Sequence, residues 1–476
     1  MSKVTEGKSK AEMDFQNKTV LVVGLARSGV AAARLCAQKG AAVLVHDMKR
    51  QDELKGDTLS PLEGLKIQYL LGEAPGEEIL RRLDWLVLSP GIPTDLPYIQ
   101  RARELGVPVW SEVELGYRLC ASPIIGITGT NGKTTTTALT GQILKAWKPG
   151  SQVAGNIGIA FTEIVEKPGP DDVVVIELSS FQLETIDQFH PHISAILNIT
   201  PDHLNRHKTL EAYIAAKQNI IRNQGVGDFC ILNWDDPCLQ HMGDAIKAKG
   251  EGPRVIYFSR KTAIPGGVYV RGEEFVSSIE GEVIPICRID EMKIFGAHNE
   301  ENALAAIACA LCAGVPASII RQGLMRFPGV EHRIEFVGCI EGVSYYNDSK
   351  ATNPDAAIKG LCAMKTPTVL IGGGMDKAIS FDPWTALFPG RVKKLILLGE
   401  TKEQIFQSAI SAGYPADDIL RVNTLEEAVR SAADLAEAGD SVLLSPACAS
   451  WDMFESYEQR GDLFREMVTC LDKANH

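Results

Sequence analysis

Apolar runs of strand length alternate with helix-period segments along nearly the whole chain. KTVLVVG reads as a buried strand, SGVAAARLCAQKG as a helix closed by a glycine, and AAVLVHD as the next strand. A strand–helix–strand opening with continuous apolar runs predicts a parallel sheet. DWLVLSPG and VPVW continue it. A second start lies at SPIIGITGTNGKTTTTALTGQILKAW, which reads as strand, glycine-rich turn and long helix. DVVVIELSS and ISAILNIT read as further strands ending in polar residues, and LEAYIAAKQNIIRN and HNEENALAAIACALCAG as helices. Residues 253–290 break the pattern, because short alternating runs between Gly-rich turns predict a small antiparallel excursion. From FPGVEHR onward, strands at VSYYND, TPTVLIGGG, KKLILLG and DSVLLS alternate with helices such as TKEQIFQSAISAG and TLEEAVRSAADLAEAG. That is another doubly wound unit, so the predicted class is α/β.

A chain of 476 residues is long enough for about three domains. With 45% hydrophobic and 23% charged residues it reads as an ordinary globular protein. The net charge of −12 argues against a nucleic-acid-binding surface. Anionic small ligands stay possible, since a local cationic site can oppose the global sign. The polar start MSKVTEGKSKAEMD lacks an apolar signal core, and residues 1–14 are expected to form a disordered tail. No run reaches 18 apolar residues, so no membrane insertion is expected. The 11 cysteines are scattered, which points to a reducing cytoplasm. Cys309 and Cys312 form a C-x-x-C inside an apolar helical run, where they read as small core residues.

The sharpest local signal is Gly129-Thr130-Asn131-Gly132-Lys133-Thr134, followed by Thr135. It follows a strand and opens a helix, the setting in which backbone N–H groups hold phosphates. Lys133 would reach the terminal phosphates, and the Thr134 hydroxyl would ligate Mg²⁺. Ile127 stands where a general P-loop has its first glycine, so the motif is a shortened P-loop. Gly24-Leu-Ala-Arg-Ser-Gly29 resembles a dinucleotide fingerprint with Ala26 in place of the middle glycine, and Asp47 ends the next strand. NAD binding, nucleotide-sugar binding and plain helix–strand packing all fit it. Ser89-Pro-Gly-Ile92 adds a turn at the same sheet edge. Glu177 ends a strand and His203 follows one; either could ligate Mg²⁺ or cap a loop. Lys217, on a helical segment, reads as a solvated lysine. His190 and His192 read as loop residues. Late in the chain, Tyr346–Asn353, Gly372–Lys377 and Ser445–Ser450 each follow a strand. Loops at strand carboxyl ends gather at one edge, so Lys350, Lys377 and Ser450 could meet around a small anionic ligand.

Taken together, TGTNGKT, GNIG (155–158), ELSSFQLE (177–184), NITPDH (198–203), AAK (215–217), HNEENA (298–303), HR (332–333), NDSKATN (347–353) and SPACAS (445–450) with EQRG (458–461) resemble the Mur ligase family, in the family's order. The resemblance covers the chain beyond its N-terminal tail. It implies three domains: a Rossmann-like UDP-binding domain over 15–111, a central P-loop ATPase domain over 112–328, and a Rossmann-like amino-acid-binding domain over 329–476. It implies ATP-dependent ligation of D-glutamate to the L-alanine carboxylate of UDP-N-acetylmuramoyl-L-alanine, through an acyl phosphate, in peptidoglycan precursor synthesis. The cofactors implied are ATP and two Mg²⁺ ions. Thr134 and Glu177 would hold the first ion. His203 and a carbamylated Lys217 would hold the second, which reverses the plain reading of that lysine. Lys133, Glu177, His203 and Lys217 are thus the implied catalytic set.

By the same resemblance Arg27, Ser28, Asp47, Met48, Lys49, Gly91 and Asn156 would contact the UDP substrate. Asn299, Asn302, Arg333 and Asp348 would join the Gly129–Thr135 loop in binding ATP. His332, Lys350, Thr352, Lys377, Ser450 and Tyr457 would surround D-glutamate. Arg27, Met48 and Tyr457 depart from the family's pattern. A cytoplasmic monomer that binds only these small molecules, with no nucleic-acid partner, is expected. The alternatives are a Mur ligase of different amino-acid specificity, a nicotinamide-dependent dehydrogenase resting on Gly24–Gly29, and a non-catalytic nucleotide-binding scaffold.

Overall fold

A computed structural model describes residues 13–54, 58–156, 158–376 and 379–474. Residues 1–12 of the expected tail, and Lys377, lie outside the described residues. The structure is α/β with three sheets. Strands β1 (Thr19–Val23), β2 (Ala42–Asp47), β3 (Ile67–Leu71), β4 (Trp85–Leu88) and β5 (Val109–Ser111) form a parallel sheet in the order β3-β2-β1-β4-β5. Successive side chains of a strand face opposite sides. Here both sides are covered: Val20 and Val22 enter one apolar cluster, Leu21 and Val23 another. This is why the strand reads as a continuous apolar run rather than an alternation.

The second sheet holds β6 (Ile124–Thr128), β7 (Gln152–Gly155), β8 (Val174–Glu177), β9 (Ile193–Ile196), β10 (Phe229–Asn233), β11 (Arg254–Ser259), β12 (Val268–Arg271), β13 (Glu274–Ser277) and β14 (Ile284–Arg288). Its order is β14-β13-β12-β11-β10-β9-β6-β8-β7. The antiparallel excursion is narrower than residues 253–290. β11 and β12 still pair in parallel, and only β12–β13 and β13–β14 run antiparallel. Both sheets belong to one compact unit, Met1–Glu291 with Glu301–Met325.

The second unit, Met292–Glu300 with Arg326–His476, holds the third sheet. Strands β15 (Glu335–Ile340), β16 (Val343–Asn347), β17 (Thr368–Gly372), β18 (Val392–Leu397), β19 (Ile419–Arg421) and β20 (Ser441–Leu444) run in the order β15-β16-β20-β17-β18-β19. β15 is antiparallel to β16, an edge hairpin on an otherwise parallel sheet. Leu370, Leu395 and Leu443 face one core and Val369, Ile396 and Val442 the other. Cys309 is fully buried on the helix Ala297–Cys312, as a small core residue should be. No helix among the described residues is long and apolar enough to cross a membrane.

Candidate functional site

In the first sheet the strand order reverses between β1 and β4, so a crevice opens at their carboxyl ends. Gly24 leaves β1 at φ +90°, and Gly29 packs so tightly that a Cβ would lie 1.8 Å from the Gly24 carbonyl oxygen. Ser89, from the turn after β4, donates its hydroxyl to that carbonyl at 2.8 Å. Asp47 accepts the Leu25 N–H at 2.9 Å and the Lys49 N–H at 3.0 Å. Its carboxylate therefore shapes the turn. Arg27, Met48, Lys49 and Gly91 are exposed around this crevice and Ser28 is half-buried. Arg27 reaches further, donating to the Asn156 carbonyl at 3.3 Å.

The turn after β6 holds two glycines where no side chain fits. Gly129 has φ +149°, and a Cβ there would sit 3.0 Å from Leu197 Cβ. Gly132 has φ +83°, and its Cβ would lie 2.2 Å from Asn302 Oδ1. Only glycine fits both conformation and space. The loop is pinned from β9's end by Asn198, whose Oδ1 accepts the Asn131 N–H at 2.8 Å and whose Nδ2 donates to the Asn131 carbonyl at 3.1 Å. Lys133 folds its amine over the loop, donating to the carbonyls of Gly129 (3.0 Å) and Thr130 (2.9 Å). The helix Lys133–Trp147 opens there with Thr134 and Thr135 buried. Asn302 receives the Thr136 hydroxyl at 3.3 Å, so this expected ATP residue lies against the loop.

Beside the loop, Glu177 ends β8 almost fully buried. Its Oε1 accepts from Asn156 Nδ2 at 3.0 Å, while its Oε2 is buried without a partner. A buried, half-satisfied carboxylate calls for a cation or donor. Lys217 is 1% exposed. Its amine donates to the Gly129 carbonyl at 2.7 Å and lies 4.7 Å from the Tyr213 ring centre. Burial, then repulsion from Lys133, drives its pKa well below the usual lysine value. A buried lysine of this kind is no solvated side chain, and an uncharged amine is the form that captures CO₂. His203 takes the left-handed conformation at φ 52°. Its ring is half-exposed, 4.9 Å from that of Phe181 and 3.5 Å from Asp202. Burial lowers its pKa below the ordinary value.

Among the described residues no three His, Cys, Asp or Glu side chains form a ready cation cage. The donors that do fit a hard cation are of other kinds: a hydroxyl at Thr134, the orphaned Glu177 oxygen, and an amine that becomes an oxygen ligand on carbamylation.

In the second unit, four of the residues expected around D-glutamate, His332, Lys350, Thr352 and Tyr457, are linked by contacts; Lys377 lies outside the described residues. The Lys350 N–H donates to the His332 carbonyl at 3.0 Å, and Lys350 Nζ lies 5.5 Å from the Tyr457 ring centre. His332 and Tyr457 meet edge to face at 6.1 Å. Thr352 follows on the same loop, its N–H donating to the Lys350 carbonyl at 2.9 Å, and Ser450 is buried. Asp348 accepts the Ser445 hydroxyl at 2.8 Å and the Ile334 N–H at 3.3 Å. Burial pushes its carboxyl up to about 7, against the pull of the hydrogen bond and of Arg333. Asn299 donates to the Phe295 carbonyl at 2.9 Å.

Arg460, unassigned by the sequence reading, joins two of these loops. It donates to Ser349 Oγ at 2.9 Å, the Ser349 carbonyl at 2.8 Å and the Cys448 carbonyl at 3.2 Å. The signal was present in EQRG, but nothing in sequence says which carbonyls an arginine will meet. His190 and His192 do lie in a loop, yet both engage Asp228, at 2.6 and 3.1 Å.

Three family models match in chain order: the Mur ligase MurD-like N-terminal domain over residues 18–111, the Mur ligase middle domain over 127–310, and the Mur ligase glutamate ligase domain over 332–448. The chain is 46% identical to the UDP-N-acetylmuramoylalanine–D-glutamate ligase of Alkaliphilus metalliredigens, across 97% of this chain and 100% of the relative. It is 47% identical to the ligase of that name from Caldanaerobacter subterraneus subsp. tengcongensis, across 96% and 100%. The chain belongs to the Mur ligase family. Within it, the curated relatives named here are D-glutamate ligases. The fold matches that of the UDP-N-acetylmuramate–alanine ligase of Thermotoga maritima, with a TM-score of 0.60 at 20% identity over 95% of this chain and 99% of that one.

Proposed function

We propose that the protein joins D-glutamate to the L-alanine carboxylate of UDP-N-acetylmuramoyl-L-alanine at the expense of ATP. The observation that carries this is the 46% identity, over nearly the whole of both chains, to a ligase named for that reaction. A carboxylate is a poor acyl donor at neutral pH. The γ-phosphoryl group of ATP is therefore moved onto it, giving an acyl phosphate that the amine of D-glutamate attacks, with phosphate leaving. Positioning and electrostatics supply most of such catalysis. The backbone of Gly129–Thr134 cradles the phosphates, and Lys133 shifts its amine from the loop carbonyls onto them. By the family resemblance, Asn299, Asn302, Arg333 and Asp348 are further ATP-binding residues.

Two Mg²⁺ ions would be held, one by Thr134 and Glu177 and one by His203 and carbamylated Lys217, and would neutralise phosphate charge. The orphaned Glu177 oxygen and the buried Lys217 amine support that assignment. Arg27, Ser28, Asp47, Met48, Lys49, Gly91 and Asn156 contact the UDP substrate. His332, Lys350, Thr352, Lys377, Ser450 and Tyr457 receive D-glutamate. Domains bounded at 15–111, 112–328 and 329–476 divide these tasks. The protein works as a monomer in the cytoplasm, where ATP and nucleotide-linked substrates are available.

The test is phosphate release with ATP, Mg²⁺ and the UDP substrate, comparing D-glutamate, L-glutamate, L-lysine, meso-diaminopimelate and no amino acid. Release with D-glutamate alone supports the reading. Release with another amino acid keeps the ligase and overturns the assignment of its acceptor.

A further inference from the structure

Arg206 lies three residues beyond His203, on the short helix Leu204–His207. No role in the reaction falls to it above. Its guanidinium spans two parts of the first unit. Nη1 donates to the Pro90 carbonyl at 2.9 Å and Nη2 to the Ile92 carbonyl at 3.0 Å, the two carbonyls that flank Gly91. Nη2 also donates to Glu184 Oε2 at 2.8 Å. The guanidinium carbon lies over Phe181, 4.2 Å from the ring centre. The Phe181 ring in turn packs against His203 at 4.9 Å. On the other side, the Pro90–Ile92 turn is anchored through Ser89 to the Gly24 carbonyl. One continuous set of contacts thus runs from the turn after β1, through the turn after β4 and Arg206, to the His203 loop.

Exposed charge contacts contribute little. Here the side chain is only 18% exposed, and its fork meets two backbone carbonyls and a carboxylate at once. A lysine has the charge but not the planar fork, and it cannot stack in the same way. The neighbouring loop also needs an outside hold. His203 sits in the left-handed region at φ 52°, a conformation a non-glycine residue keeps only when its surroundings impose it.

We infer that Arg206 is a positioning residue that fixes the His203 loop relative to the turn receiving the UDP substrate, so that filling one orders the other. This rests on the ligase reading above. Its consequence is specific: losing the fork should weaken the UDP substrate and Mg²⁺ while leaving D-glutamate unaffected.

The experiment compares wild type, Arg206→Lys and Arg206→Ala. It measures KM for each substrate, the Mg²⁺ concentration for half-maximal activity, melting temperature, and calorimetric binding of UDP-N-acetylmuramoyl-L-alanine without ATP. Both variants should raise KM and Kd for the UDP substrate at least tenfold and raise the Mg²⁺ requirement. KM for D-glutamate should stay within twofold, and Arg206→Lys should melt close to wild type. Guanidinium ion should restore part of the UDP-substrate affinity of Arg206→Ala. Unchanged UDP-substrate KM, or a uniform loss of kcat with lowered melting temperature and no change in any KM, would overturn the inference. A wild type that shows no D-glutamate-dependent turnover would defeat the ligase reading instead.

Discussion

Replacing Asp348 with asparagine should make the protein more stable at alkaline pH while removing its activity. Asp348 is fully enclosed, and its carboxyl is pushed from 3.8 up to about 7. The unfolded chain releases this proton near the ordinary carboxylate value, whereas the folded chain holds it to about 7. Between those two values the folded state binds more protons, so this group's contribution to stability falls as pH rises and levels off above about 7. A displacement of that size corresponds to at most about 4 kcal/mol. Asparagine keeps one acceptor oxygen, for the Ile334 N–H; its amide N–H2 replaces the oxygen that accepts the Ser445 hydroxyl, so there the side chain donates to the Ser445 oxygen instead. It removes the charge that Arg333 and Arg460 face, which offsets part of the gain and leaves roughly 1–3 kcal/mol.

The assay is urea denaturation of wild type and Asp348→Asn at pH 5, 6, 7 and 8. Taking the difference cancels every other titrating group. The advantage of the variant should be small at pH 5, grow to pH 7 and stay level at pH 8. A difference that is flat across this range, or a variant that grows weaker as pH rises, would refute the reasoning.

Gly132→Ala should cost about 1–2 kcal/mol of backbone strain at φ +83° and drive a Cβ into Asn302; ATP affinity should fall at least tenfold in a titration with a fluorescent nucleotide. Lys217→Met should abolish turnover, and a carbamate ¹³C signal seen in wild type with labelled bicarbonate should be missing from the variant. Asp228 is held well below the usual carboxylate range by its hydrogen bonds from His190, His192 and the Gly225 N–H, which outweigh its burial. Its contribution is present above the unfolded pKa and is lost as pH falls through the folded one. Asp228→Asn should therefore lower the melting temperature at pH 6 to 7, and the gap to wild type should close in strong acid.

The sheets were legible because their strands are buried on both faces. Val20 to Val23 and Val369 to Ile371 are continuous apolar runs between polar turns. The phosphate turn was legible because Gly129 and Gly132 serve backbone geometry that other residues cannot adopt. Lys217 was not legible from its own segment. A lysine in AYIAAKQNI looks solvated until the fold carries the helix beneath the Gly129 carbonyl. Arg206 and Arg460 escaped for a related reason. Their partners include the carbonyls of Pro90, Ile92 and Ser349, more than 100 residues away in sequence, and backbone acceptors leave no mark in side-chain patterns. The reach of the antiparallel excursion was overestimated because Gly-rich turns flank β11, although it still pairs in parallel with β10 and β12.

In the proposed reaction the alanyl carboxylate is activated by phosphoryl transfer and then captured by D-glutamate. The most direct measurement uses UDP-N-acetylmuramoyl-L-alanine labelled with ¹⁸O in that carboxylate, together with ATP, Mg²⁺ and D-glutamate, and reads both products by mass spectrometry. One ¹⁸O atom is expected in the released phosphate per turnover, together with a UDP product heavier by one glutamyl residue. Phosphate without the label, or label transfer without an added glutamyl residue, would contradict it.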